Sequence, residues 1–184
     1  VYAEQGLGDT LQFCRLLDRV QSLGAEILFE VPAALLALLR ASLSVPVYAE
    51  GASPQSYDYQ CPLMSLPLAL KLRFDEIPSR IPYLRVEAPR QARWYNRLGA
   101  SFPMGEATQR LKIGLAWAGS ARHANDAQRS LSFSLCGRLL QLDADIYILQ
   151  KGLTRSDRVG LEILQRFGRR IFILDSDLED FSDT

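Results

Sequence analysis

The chain has 184 residues, 48% hydrophobic and 23% charged, which is typical of a folded globular protein and excludes a disordered one. Basic and acidic residues number 21 each, so the composition does not predict binding to nucleic acid or to an anionic membrane surface. The longest apolar run, residues 31–39, is far shorter than the ~20 residues of a membrane-spanning helix.

The first hundred residues alternate strand and helix patterns. Residues 1–3 look like the end of a strand that begins upstream, so we expect the chain to be a fragment of a longer protein. Apolar residues then recur at helical spacing over residues 9–23, where Asp9 or Thr10 can cap the start and Gly24 ends the pattern. Strands are predicted at 25–31 and 45–48, with a helix between them that has Pro32 in its first turn. This order predicts a parallel sheet with helices on its faces.

The following segment is less regular. Residues 57–61 are a candidate strand, residues 62–70 a broken buried segment, residues 77–84 an extended crossing, and residues 90–98 a helix. Residues 99–110 are polar and contain glycine and proline, as linkers do.

Beyond the linker the alternation restarts. The pattern predicts a buried-type strand at 111–119, a helix at 132–142, a strand at 145–152, a helix at 157–167 and a strand at 170–175. We therefore predict an α/β protein with a Rossmann-like first domain (1–100), a linker (101–110) and the start of a second Rossmann-like domain (111–184). The second domain is too short for a complete doubly wound sheet, so we expect it to be truncated.

Cysteine and histidine usage limits the chemistry. Cys14, Cys61 and Cys136 are odd in number and widely spaced, which matches neither a disulfide framework nor a zinc site. We expect reduced, buried thiols and a cytoplasmic location. His123 is the single histidine, which excludes a multi-histidine metal site, and we expect no metal.

Ligands of open parallel sheets bind beyond the carboxyl ends of the strands, so the loops that follow strands are the candidate sites. The first such loop is EQGLGDT, residues 4–10. Gly6 and Gly8 match two glycines of the dinucleotide-binding fingerprint, and Glu30 follows near the distance of a ribose-binding acid. However, Leu11 replaces the third glycine, and Asp9 would repel a pyrophosphate. The spacing leaves open whether Asp9 is a helix cap or a catalytic residue.

Three more loops carry polar side chains. In residues 117–130, small residues would allow a ligand to approach the backbone, an arginine would bind phosphate, and Ser130 or Ser132 would cap a following helix; a solvated loop would look similar. The candidates in this loop are Gly119, Ser120, His123, Asn125, Arg129 and Ser130. Lys151, at the end of the predicted strand 145–152, suits a phosphate or an ordinary surface position. Residues 50–62 offer Tyr57, Asp58 and Gln60, although the tyrosines there are expected to pack against the sheet.

Several stretches of the chain resemble one family. In chain order they are EQGLGDTLQFCR, YDYQCPLMSLPLAL, IPYL, KIGLAWAGSARHANDAQRS, ILQKG and DFSDT. They are similar to the glycosyltransferase-like domains that follow tetratricopeptide repeats in many bacterial proteins. These domains are related to the heptosyltransferases of glycosyltransferase family nine and, more distantly, to O-linked N-acetylglucosamine transferases. The match covers essentially the whole chain and keeps the order of the motifs.

The resemblance implies a GT-B architecture of two Rossmann-like domains facing a cleft, with the acceptor on the first and the nucleotide-sugar donor on the second. It implies an inverting displacement without a bound metal or cofactor. Such a reaction needs a base for the acceptor hydroxyl and groups that stabilise the departing diphosphate. The acceptor is unidentified and would be a protein, a glycan or a lipid-linked glycan.

Carried over by position, Asp9 matches the general base of the related loop, and Gln5, Gly6 and Gly8 match the loop that approaches the acceptor and the donor sugar. Residues that match the donor phosphate and nucleotide site are Gly119, Ser120, Arg129, Ser130 and Lys151, with His123 and Asn125 in the same loop.

The chain departs from the family at its C-terminus. The relatives continue beyond DFSDT to a turn that completes the diphosphate site, so we expect this fragment alone to be inactive. Tetratricopeptide repeats are expected next to it in the parent protein. The alternatives are a non-catalytic binding or scaffold module and, through Gly6, Gly8 and Glu30, a nicotinamide-dependent oxidoreductase.

Overall fold

A computed structural model describes residues 1–52, 56–99, 110–119 and 125–183 of the chain. These residues form two compact units. The first unit comprises Val1–Arg97 together with Asp180–Asp183, and the second comprises Leu98–Glu179. Each contains helices and a small parallel sheet, which confirms the predicted α/β class. Most of the predicted linker, residues 101–109, lies outside the described residues.

The sheet of the first unit is parallel, as predicted. Strand β1 (Phe29–Val31) pairs with β2 (Val47–Ala49), with Phe29 opposite Val47. Tyr2 forms parallel bridges to Glu30 on one side and to Pro62 on the other, which places the N-terminal segment beside β1.

Residues 57–61 do not form the predicted strand. Among the described residues the pairing there is limited to two backbone hydrogen bonds: the N–H of Tyr2 donates to the Cys61 carbonyl, and the N–H of Leu63 donates to the Tyr2 carbonyl. Tyr57 and Tyr59 are 57% and 92% exposed, so the expectation that they pack against the sheet is wrong.

The helices of the first unit cover one large apolar cluster. The helix predicted at 9–23 begins two residues earlier and is interrupted by a 3₁₀ turn; it ends where Gly24 adopts a φ of 86°. Pro32 lies just before its helix rather than in the first turn. The helices are α1 (Leu7–Phe13), α2 (Leu17–Ser22), α3 (Ala33–Ser42), α4 (Leu66–Ala69) and α5 (Ala88–Gly99), with 3₁₀ turns at Cys14–Leu16, Leu63–Ser65 and Phe74–Glu76. The buried cluster contains Leu17, Phe29, Val31, Leu35, Leu39 and Leu63.

The last turn, a 3₁₀ helix at Phe181–Asp183, belongs to the first unit although the sequence-based division assigns it to the second. Asp183 has a fully buried side chain that is held by three donors of α5. Its carboxylate accepts hydrogen bonds from Arg90 at 3.2 Å, Arg93 at 2.7 Å and the Trp94 indole at 2.7 Å. Since a buried carboxylate needs charged or hydrogen-bonding partners, these contacts account for the placement of the turn.

The second unit contains a three-stranded parallel sheet in the order β3 (Leu111–Leu115), β4 (Ala144–Ile148) and β5 (Ile171–Ile173). Every residue of the central strand β4 is buried. In β3 only Leu115 is buried, and Leu111 is 63% exposed. The prediction of a buried strand there is wrong: within the described part of the chain β3 pairs with β4 alone and so lies at an edge of the sheet.

Three helical segments complete the second unit. The predicted helix at 132–142 is a 3₁₀ helix, Phe133–Gln141, preceded by the short α6 (Asp126–Arg129). Helix α7 (Arg155–Arg166) starts with a capping box, in which the Asp157 N–H donates to Thr154 Oγ1 and the Thr154 N–H donates to Asp157. The core of this unit contains Trp117, Cys136, Leu140, Ile146, Ile148, Leu161 and Ile171.

All three cysteines are free thiols. Cys14 and Cys136 are buried as expected, whereas Cys61 is only half-buried. Burial raises the pKa of the Cys14 thiol to about 12 and also raises the pKa of Cys136. Because the thiolate is the nucleophile and the metal ligand, neither thiol is suited to chemistry near neutral pH.

Two glycines of the second unit predict opposite effects of one substitution. A Cβ at Gly160, in α7, would lie 2.6 Å from the Phe133 ring, which packs against Trp117 at 5.5 Å. Gly160→Ala should therefore lower the free energy of unfolding by about 1–3 kcal/mol through overpacking. A Cβ at Gly137 would meet no atom within 4 Å, so Gly137→Ala should raise the free energy of unfolding by about 0.5 kcal/mol. Urea unfolding followed by tryptophan fluorescence tests both, and equal effects would contradict the packing described.

Candidate functional site

In the first unit, the candidate residues lie in the turn between the N-terminal extended segment and α1. Gly6 occupies the N-cap position, and Asp9 is the third residue of the helix. The backbone N–H of Gly6 donates to Asp9 Oδ2 at 3.1 Å. The expectation that Asp9 or Thr10 is the N-cap residue is therefore wrong: Asp9 reaches back to the cap from within the first turn, and Thr10 is buried.

The outer side of this turn is open. Gln5 and Gly8 are exposed, and a Cβ at Gly8 would meet no atom within 4 Å. At Gly6, by contrast, a Cβ would lie 3.0 Å from the Asp9 carboxylate, so a side chain there would disturb the hydrogen bond that orients Asp9. Asp9 Oδ1 accepts no hydrogen bond from the described residues. The turn thus presents a partly exposed carboxylate oxygen beside exposed backbone.

Leu11 and Glu30, the positions that bear on the dinucleotide-binding alternative, make contacts within the first unit. Leu11, where the fingerprint has glycine, packs against the core of the first unit. Glu30 Oε1 accepts a hydrogen bond from the backbone N–H of Gly51 at 3.1 Å, in the turn after β2. Leu11 therefore contributes to the packing of α1, and Glu30 links β1 to the turn after β2.

In the second unit, Gln150 organises the loops that follow two neighbouring strands. This side chain is 6% exposed and comes two residues after the end of β4. Its Oε1 accepts hydrogen bonds from the backbone N–H groups of Trp117, at 2.9 Å, and Ala118, at 2.8 Å. Its Nε2 donates to the Lys151 carbonyl at 3.0 Å. The loop after β3 is therefore held to the loop after β4 at the carboxyl edge of the sheet.

The next part of the β3 loop packs against α6. The Arg129 guanidinium lies so close to Gly119 that a Cβ there would be 2.6 Å from its terminal nitrogen. The Gly119 N–H donates to Ser130 Oγ at 3.1 Å, and Ser130 donates to Asp126 Oδ1 at 2.7 Å. Arg129 Nε lies 3.5 Å from the same Asp126 oxygen. The structure thus brings Gly119, Arg129 and Ser130 together, as the sequence predicts for a phosphate site.

Lys151 contacts the loop after β5. Its ammonium donates to the carbonyls of Leu178, at 2.7 Å, and Glu179, at 2.9 Å. Gln150 and Lys151 are consecutive residues at the end of β4, so their side chains reach the loops of the two flanking strands. The Lys151 charge lies among backbone carbonyls in this structure.

The other candidates of this loop are only partly described. Ser120 and His123 lie outside the described residues, and Asn125 occupies the position before α6. Gln150 and Asp126 lie in the loops that the sequence analysis considered, but they were not selected as site residues, and the structure shows that both make contacts there. A signal for Gln150 exists, because it is the first polar residue after the apolar run IYIL.

Comparison with protein-family models, with curated proteins and with solved structures finds no match. Within the parts of the chain that the structure describes, no cluster of three or more histidine, cysteine or acidic residues is arranged to hold a metal ion. A search of the same residues finds no helix with the length and apolar character that crossing a membrane requires.

The Gln150 contacts predict a specific loss of stability. Gln150→Leu removes the acceptor of two backbone N–H groups while keeping the volume, so it should lower the free energy of unfolding by about 1–3 kcal/mol. The amides of Trp117 and Ala118 should then exchange faster with deuterium. Gln141→Leu, at an exposed position of the same unit, is the matched control and should change stability by less than about 0.5 kcal/mol. Unchanged exchange at both amides would contradict the role given to Gln150.

Proposed function

We propose that the chain is part of a metal-independent, inverting glycosyltransferase of the GT-B class, with a nucleotide-sugar as donor. The observation that carries the proposal is the packing of the Arg129 guanidinium against Gly119, beyond the carboxyl end of β3. This edge of a parallel sheet is where phosphate-bearing ligands bind, and a guanidinium provides paired donors for phosphate oxygens. The resemblance of the surrounding sequence supports the same conclusion.

The proposed reaction is a direct displacement. An acceptor hydroxyl oxygen forms a bond to the anomeric carbon of the sugar as the bond from that carbon to the nucleotide diphosphate breaks. The diphosphate leaves with the bonding electron pair, and Asp9 takes the hydroxyl proton. Arg129 stabilises the negative charge on the leaving group. These are the roles of a general base and of an electrostatic stabiliser.

Asp9 suits the proposed role because one of its oxygens is fixed and the other is available. The bond from Gly6 to Oδ2 orients the carboxylate, while Oδ1 has no partner among the described residues. The exposed Gly8 and Gln5 would leave room for an acceptor beside it. We further propose that tetratricopeptide repeats adjoin this region in the parent protein and that the protein works in the cytoplasm.

The substitution Asp9→Asn distinguishes a role of Asp9 as general base from a role as helix cap alone. The asparagine oxygen still accepts the Gly6 hydrogen bond, so the fold should be retained, but the amide does not take a proton at neutral pH. In the complete protein we expect transfer from a nucleotide-sugar to fall by about a hundred-fold or more. Asp18→Asn, at an exposed position of α2, is the control and should leave transfer unchanged. Wild-type rates for Asp9→Asn would assign Asp9 to helix capping alone.

Arg129→Gln tests the donor side. Calorimetry of the complete protein with uridine, guanosine, cytidine and adenosine diphosphates should show binding of at least one. The Arg129→Gln variant should bind that diphosphate about ten-fold or more weakly, because it lacks a charge-assisted contact. The control is Arg138→Gln, which removes an exposed charge from the same unit and should not change affinity.

A non-catalytic binding or scaffold module is the second candidate, and the contacts of the cations favour it. The Lys151 ammonium is already bound by two carbonyls, and Asp126 offsets part of the Arg129 charge. Absence of binding to all four diphosphates would support this candidate and contradict the transferase proposal.

A further inference from the structure

The first unit contains a cleft of about 330 Å³ on the face of α1 that continues from Asp9. Its volume is that of a small-ligand pocket. Both Asp9 and Phe13 belong to α1, and residues four apart on a helix lie on the same face, one turn from each other. The side chains that matter for ligand binding there are Gln12, Phe13, Arg15, Pro67, Leu72 and Phe74.

Most of the cleft surface is apolar, but Arg15, one of two arginines in the lining, has capacity for an anion. Arg15 donates one N–H to the Pro78 carbonyl at 3.2 Å, and its guanidinium lies over the Tyr83 ring at 5.5 Å. These two contacts fix the orientation of the group without neutralising it, and among the described residues Arg15 forms no ion pair. A guanidinium has five N–H groups, so most of them remain available for an acidic ligand.

A second arginine of the cleft lining, Arg73, and the nearby Arg19 are paired with carboxylates. Arg73 forms two hydrogen bonds with the Asp75 carboxylate, at 3.2 and 3.3 Å, and Arg19 lies 3.7 Å from Glu76. Arg15 is therefore the cation that selects the charge of an occupant. The Phe74 ring, 92% exposed at the rim, provides apolar surface that water covers in the free protein.

We infer that this cleft binds an acidic amphiphile, a molecule with a phosphate or carboxylate on an apolar body, whose anion meets Arg15 and whose apolar part contacts Phe13 and Phe74. The inference rests on the proposed function in one respect: the molecule is the sugar acceptor, held one helical turn from Asp9. The anion-binding part stands without it.

Calorimetry of the 184-residue chain with four probes tests the inference: hexyl phosphate, hexanoate, hexanol and inorganic phosphate. We expect hexyl phosphate or hexanoate to bind more tightly than hexanol and inorganic phosphate, and the tighter of the two identifies the acid. Arg15→Gln should weaken the binding of the acidic probe about ten-fold and leave the binding of hexanol unchanged. Phe74→Ala, which removes an exposed ring and so spares the fold, should weaken hexanol and the acidic probe alike.

The controls separate this inference from the proposed function. Arg19→Gln removes a charge four residues from Arg15 and should not affect any probe. Asp9→Asn should abolish transfer in the complete protein yet leave probe binding intact. Binding that is absent, or that does not depend on Arg15, overturns the cleft inference while the Asp9 result still decides the transferase. Binding that depends on Arg15 and Phe74 supports the cleft even if Asp9→Asn has wild-type activity.

Discussion

Parallel pairing of the strands is the constraint on which both units depend. A chain that pairs parallel strands has to leave each strand at one edge and return across a face of the sheet, so all the carboxyl ends collect at the same edge. The turn before α1 and the loops after β3, β4 and β5 owe their positions to this rule. In an antiparallel arrangement, successive strand ends would alternate between the two edges of the sheet, and the loops after β3 and β4 would lie at opposite edges.

At the edge of the second unit, the ordering of the loops depends on Gln150 and Lys151. Loop backbone that is buried needs hydrogen-bond partners, and the short sheet offers few. Gln150 meets this need for Trp117 and Ala118, and Lys151 does so for Leu178 and Glu179. The same contacts occupy the lysine that the proposed transferase would use to bind a diphosphate, so the structural role of Lys151 competes with the proposed one. Arg129 is less constrained, because its partner Asp126 is a single carboxylate on the neighbouring turn.

In the Gly6 turn one residue has a structural contact and, in the proposed reaction, a catalytic role. Asp9 Oδ2 accepts from the N–H of Gly6, one of the donors left unpaired at a helix start, and Oδ1 accepts no hydrogen bond from the described residues. A cap and a base are therefore not exclusive roles for this side chain. The cleft beyond Phe13 adds a reason for an acceptor to lie along the same helix face.

Local patterns in the sequence predicted much of the architecture, because periodicity and glycine or proline positions act over a few residues. The α/β class, the strand at β4, helices α3, α5 and α7 and the end of a helix at Gly24 follow from such patterns. Errors occurred where neighbours in space decide the outcome. The exposure of β3 depends on its pairing with β4 alone among the described residues, and in residues 57–61 only Cys61 bonds to the N-terminal segment.

The candidate site divides in the same way. By itself the sequence determined which residue types follow each strand: an aspartate behind two glycines, an arginine and serine after β3, and a lysine after β4. Only the tertiary structure decided their contacts. Asp9 accepts from Gly6, and Arg129 packs against Gly119. Lys151 donates to the Leu178 and Glu179 carbonyls, and Gln150 holds the loop after β3. The reason is physical: a polar side chain takes the nearest unsatisfied partner, and folding determines which groups are near.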